Sequence, residues 1–155
     1  MKGTIKEYRL SRKNNKTIVG LTILLKNRSF HSGYDETIEA LTTIILSLSP
    51  SSISIEKAYG DNKSLSNKEL KDLVENICSL TDNHQIRRES LEELMRLAID
   101  LDITLFLRLH GTVSMNGVVA VVNDNGDSYI YFETEKIDSA IIEILQKNLP
   151  DWRFC

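Results

Sequence analysis

The chain has 155 residues, with 19 Lys and Arg against 22 Asp and Glu, a formal charge of −3 and a sequence pI of about 5.6. Ile, Leu, Val and Phe supply 48 of the 155 residues, well above the roughly 20% below which a highly charged chain stays disordered, so residues 1–155 are expected to fold as one domain without disulfides or a structural metal. Two cysteines, Cys78 and Cys155, make no disulfide framework, and no apolar run reaches the ~20 residues of a membrane span or the shorter core of a signal peptide. A cytoplasmic protein without a cofactor or a membrane contact is the expectation.

Residues 4–11 and 16–26 read as two strands joined by the polar turn Lys13-Asn14-Asn15-Lys16. In the second, Val19, Leu21, Ile23 and Leu25 alternate, while Ile18 and Leu24 add apolar side chains to the other face. A strand covered on both faces belongs inside a sheet. A helix is expected from about 35 to 48, with Asp35 near its start, Ile38, Leu41, Ile45 and Leu48 on one stripe, and Pro50 ending it. Ile53 and Ile55 then mark a short strand.

Two helices are expected next. Ser66 with Glu69, and Ser90 with Glu93, match the Ser-x-x-Glu capping box, and each pair precedes an apolar stripe: Leu70, Leu73, Val74, Ile77 and Leu80 after the first, Leu91, Leu94, Met95 and Ala98 after the second. In the last third, Ile103 to Leu109 alternates, Val118 to Val122 is a continuous run around Ala120, and Tyr129 to Phe132 is rich in strand formers. Asn123-Asp124-Asn125-Gly126-Asp127 between the last two runs is the strongest hairpin signal in the chain, and Asn116-Gly117 turns the preceding connection. Ile137, Ala140, Ile141, Ile144 and Leu145 mark a closing helix, after which Trp152 and Phe154 are expected to fold back over the core. The order ββα-β-αα-βββ-α describes an α+β domain: a mixed, mainly antiparallel sheet of five or six strands with about four helices.

Motifs for chemistry are sparse. If Gly126 took the glycine position of a calcium loop, Val121 and Phe132 would occupy the ligand positions, and neither can coordinate. No phosphate-binding glycine motif is present, and His31, His84 and His110 lie in separate segments without zinc-ligand spacing, so no metal is expected. The stretch from His110 to Ser114, placed just past a buried strand, holds a histidine and a serine and defines the alternative of a small enzyme; its spacing is not that of a nucleophile elbow. Lys136 follows Glu133-Thr134-Glu135, which puts a nuclease-type Glu-x-Lys pattern off by one.

Charge is the feature that stands out. Residues 1–33 hold eight bases (Lys2, Lys6, Arg9, Arg12, Lys13, Lys16, Lys26 and Arg28) against Glu7 alone, a balance of +7, whereas residues 34–155 hold 11 bases and 21 acids, a balance of −10. A basic N-terminal hairpin thus joins an acidic body. Arg12, Lys13 and Lys16 at its tip are the candidate contacts for a nucleic-acid-associated regulator. The acidic body points elsewhere, since a surface rich in carboxylates steers and selects a basic protein partner. In size, charge and lack of a catalytic constellation the chain is similar in kind to the small acidic immunity proteins with which bacteria neutralise toxin domains, nucleases among them. That similarity implies a non-enzymatic inhibitor, or antitoxin, that binds a basic toxin domain. The candidate contacts are Asp100 with Asp102, Asp124 with Asp127, and Glu133 with Glu135, at strand ends expected to converge on one edge of the sheet. Glu89, Glu92 and Glu93 form a second candidate surface.

Overall fold

The computed structural model describes residues 3–11, 17–25, 33–59, 81–82, 85–100, 102–111, 117–124, 126–134 and 136–155. Strand formers in alternation produce β1 (Gly3–Ser11) and β2 (Thr17–Leu25), which pair as an antiparallel hairpin through all nine residues. Helix α1 (Gly33–Ser47) follows. It ends where Ser49 turns to φ 51° and Pro50, which has no N–H to extend the ladder, comes next. The strand expected around Ile53 and Ile55 is longer than its apolar pair suggests: β3 spans Ser52–Tyr59 and carries a bulge between Ile55 and Lys57.

Thr81–Asp82 (β4) and Gln85–Ile86 (β5) form a separate two-stranded ladder that the sequence did not signal. The helix expected behind Ser66 lies outside the described residues. Helix α2 (Arg88–Asp100) corrects the second capping box. The Leu91 N–H already bonds to the Arg87 carbonyl at 3.2 Å, so Ser90 is buried within the first turn rather than capping it. Strands β6 (Thr104–His110), β7 (Val118–Asp124) and β8 (Asp127–Phe132) make an antiparallel meander, α3 (Ser139–Asn148) follows, and β9 (Trp152–Phe154) closes the chain. Asp138 starts α3 by accepting the Ala140 N–H on Oδ1 at 3.0 Å.

The main sheet has seven strands in the order β3-β6-β7-β8-β2-β1-β9, antiparallel throughout except for the parallel pair β1 and β9. It is an α+β domain with three helices among the described residues. The count of five or six strands fell short because of β9, three residues whose only pairing is with the far end of the chain. Trp152 does fold back: it is buried, and a Cβ at Gly3 would come within 2.7 Å of its ring, so the absence of a side chain at Gly3 lets the C-terminal strand close on β1.

The helices share one face of the sheet. Ile38, Leu41, Ile45, Leu94, Met95 and Leu145 pack there with Ile5, Leu21, Leu107 and Ile130 in one continuous core. On the opposite face Ile18, Val119, Val121 and Tyr131 are also buried, with Phe106 and Tyr129 against them. This two-sided burial explains the unbroken apolar run of β7 and the interior position of β2. No helix among the described residues is long and apolar enough to cross a membrane.

Candidate functional site

Antiparallel pairing sorts the candidate carboxylates by end. Thr104, Asp124 and Asp127 make one end of the β6–β7–β8 meander, and His110, Val118 and Phe132 make the other. Asp100 and Asp102, leading into β6, therefore share an end with Asp124 and Asp127. Glu133 follows Phe132 and lies at the opposite end, which corrects the expectation that all three pairs converge; Glu135 lies outside the described residues. The six residues of β8 separate the two ends by about 20 Å at roughly 3.3 Å per residue.

The Asp end is organised around Asn123. The hairpin closes between the facing residues Asp124 and Asp127, with Gly126 at φ 88°, and the register shifts between Val121 and Asp124 just before it. Asn123 sits in that irregularity at φ 60°, a left-handed conformation that Asn accepts more readily than most side chains. It is buried, and its Nδ2 donates to the Ile103 carbonyl at 3.2 Å, to Asp102 Oδ1 at 3.4 Å and to the Ala98 carbonyl at 3.5 Å. Its N–H donates to Ser128 Oγ at 3.2 Å, and its carbonyl accepts the Thr104 hydroxyl at 2.8 Å. One amide thus ties the hairpin to the α2–β6 connection.

That connection is a Schellman turn. Ile103 N–H bonds to the Ala98 carbonyl at 2.8 Å, Asp102 N–H bonds to the Ile99 carbonyl at 3.2 Å, and Asp102 takes φ 53° where glycine is the usual residue. The last turn of α2 has no basic residue, so Asp100 and Asp102 add their charge to the negative end of the helix dipole instead of being offset there. On the hairpin, Tyr129 Oη donates to Asp124 Oδ2 at 2.7 Å. Burial first, and then the Asp124 carboxylate, raise the Tyr129 phenol above its ordinary value of 10.0, so it remains a proton donor to Asp124. Asp102 and Asp124 are therefore positioned by neutral donors, which fix a carboxylate without cancelling its charge.

The second candidate surface divides. Glu92 accepts from Arg88 Nη1 at 3.4 Å one turn earlier, while Arg88 Nη2 reaches Thr43 Oγ1 on α1 at 3.1 Å. Glu89 and Glu93 are exposed on another stripe of α2, and helical spacing puts Asp100 on that same stripe. Asp100 is thus common to both candidate surfaces.

At the opposite end the carboxylates are matched by a cation. Arg108 Nη2 donates to Glu56 Oε1 at 2.7 Å and to Glu133 Oε1 at 2.9 Å. The hydrogen bond to Glu56, partly opposed by desolvation and assisted by Glu133, raises the Arg108 guanidinium above its ordinary value. Glu56 reaches Arg108 from the bulge of β3. His110 is the last residue of β6 rather than the first past it, and its ring Nε2 lies 2.6 Å from Ser54 Oγ on β3. Ser114, at the other end of the candidate stretch from His110, lies outside the described residues; a Ser–His pair 56 positions apart has no local signal. Arg12, Lys13 and Lys16 also lie outside the described residues. Among the described residues, no three His, Cys, Asp or Glu side chains gather where they could hold a metal ion.

The chain matches no known protein family, no curated protein and no solved structure with which it was compared.

Proposed function

We propose that this chain acts by binding a protein, as a small acidic immunity- or antitoxin-type inhibitor of a basic toxin domain such as a nuclease, in the cytoplasm. The observation that carries the reading is the Asp end. Four carboxylates from two chain segments share one end of a rigid sheet, next to a helix C-terminus with no basic residue in its last turn. Two of the four are held by neutral donors. Charge held in this way, as at Asp102 and Asp124, accelerates encounter with a basic surface and disfavours acidic competitors. Asp100, Asp102, Asp124 and Asp127 are the proposed contacts, and Glu89 and Glu93 extend them along α2. Glu133 is removed from the set because its charge is engaged by Arg108.

The test is a pull-down from the native host with the wild-type chain and with a variant carrying Asn at positions 100, 102, 124 and 127. The expected result is a basic protein retained by the first, released as salt rises, and lost from the second. Retention of the same partner by both chains would overturn the placement of the site.

A further inference from the structure

The Arg108 end carries a pairing that the binding reading does not use. Ser54 and His110 stand diagonally across the ladder of β3 and β6, on the sheet face opposite the helices. Ser54 Oγ and His110 Nε2 are 2.6 Å apart, which is hydrogen-bond distance for a serine and the ring that would take its proton. The main chain at His110 is held to β3, since its carbonyl accepts both the Ser51 N–H at 2.7 Å and the Ser51 hydroxyl at 3.1 Å, and the ring itself contacts Ser54. His110 is exposed and Ser54 half-buried, so a reagent has access to both. Arg108 is the direct cross-strand neighbour of Ser54 and projects from the same face. Its bonds to Glu56 and Glu133 leave from Nη2, whereas a guanidinium also carries N–H groups on Nη1 and Nε.

From this geometry we infer that Ser54 is a base-assisted nucleophile toward activated carboxylic esters, with His110 as the base and Arg108 as the nearest donor to the oxyanion. Ser54 Oγ forms a bond to the acyl carbon as its proton passes to His110 Nε2. Collapse of the tetrahedral adduct breaks the bond to the leaving alcohol, which takes the proton back from His110 and leaves an acyl-Ser54. Water, deprotonated by the same nitrogen, then releases the carboxylic acid and restores the serine. This capacity resides at the opposite end of the sheet from Asp100, Asp102, Asp124 and Asp127, so each proposal can fail without the other.

The test treats the full-length chain with a fluorophosphonate, which phosphonylates serines that have an assisting base, and locates the adduct by peptide mass spectrometry. Labelling is expected at Ser54, at least tenfold faster than at the exposed Ser139 of the same chain, which serves as an internal control needing no variant. His110→Gln keeps a polar partner for Ser54 but cannot accept the proton, and is expected to slow labelling by about a hundredfold, the low end of what a positioned base contributes. An adduct rate at Ser54 no greater than at Ser139, or one unchanged in a folded His110→Gln chain, would overturn the inference.

Discussion

The two ends of the β6–β7–β8 meander are built from similar residues and reach opposite electrostatic results. At the Arg108 end, Glu56 and Glu133 close on one guanidinium, which offsets half of their charge and holds β3 and the segment after β8 to β6. At the Asp end, Asp102 meets an amide and Asp124 a phenol. Both arrangements order the chain, but the first leaves one net negative charge on two carboxylates, whereas in the second neither carboxylate is offset by the group that holds it. Counting acids along a sequence does not distinguish these cases; the partner does.

The most severe way to break the comparison is at Asn123. Replacing it by Ala removes three side-chain contacts from a buried position and forces a Cβ-bearing residue without a polar group to hold φ 60°. The expected cost is about 3 kcal/mol, from unsatisfied buried acceptors and left-handed strain together, read as a lower denaturant midpoint. Asn123→Gly retains the backbone conformation and is expected to lose about half as much. If the two variants were equally stable, the left-handed conformation would not be part of the penalty.

The matching change at the other end is Arg108→Met. It keeps an unbranched stem over the sheet and leaves Glu56 and Glu133 facing each other without the cation. All three side chains are partly exposed, so solvent screening limits the effect to about 1 kcal/mol. In a double-mutant cycle, adding Glu133→Gln should recover part of the loss, whereas Asp124→Asn at the far end should simply add to it.

Tyr129→Phe separates the ends by pH. Because the folded phenol titrates above its ordinary 10.0, the folded state holds a proton that the unfolded chain releases first. Its contribution is complete below pH 10 and falls as pH rises above that value. The wild-type chain should therefore lose stability in alkali more steeply than Tyr129→Phe. At neutral pH the variant should be less stable by about 1 kcal/mol, the net worth of one hydrogen bond to a carboxylate. Parallel alkaline slopes would argue against the raised phenol, and unchanged stability at neutral pH against the Tyr129–Asp124 bond.

How much of this was legible follows from the range of each interaction. Strands β2, β6 and β7 were readable because the alternation of Leu105, Leu107 and Leu109, or the unbroken Val118 to Val122, is written in adjacent residues and matches the burial observed. β9 was not, because Trp152-Arg153-Phe154 becomes a strand only by docking on Gly3 to Ile5. The capping box at Ser90 misled because a four-residue pattern cannot exclude a helix that begins two residues earlier. At the site, Asp124 and Asp127 were visible as hairpin charges. Their grouping with Asp100 and Asp102, and the separation of Glu133, depended on counting strand reversals. Arg108 gave no signal at all, since its partners lie 52 and 25 positions away and meet it only through strand register and the β3 bulge.

The smallest change sharpens the comparison most, because its two effects have opposite signs. Asp102 holds the left-handed C′ position of α2, where glycine carries no Cβ penalty and where the helix dipole disfavours an acid. Asp102→Gly should therefore relieve strain worth about 1 kcal/mol while giving up a long hydrogen bond from Asn123, for a net gain of about 0.5 kcal/mol in thermal or denaturant unfolding. Asp102→Ala, which removes the charge and keeps the Cβ, should gain nothing. If the Asp end is the binding surface, Asp102→Gly should be the more stable protein and the weaker binder, with affinity lower by about the tenfold that one rim-to-core charge contact carries. A locally unfavourable residue of this kind is what a surface selected for a partner would contain. A variant both more stable and undiminished in binding would leave Asp102 without that justification and shift the weight of the surface to Asp100 and the hairpin.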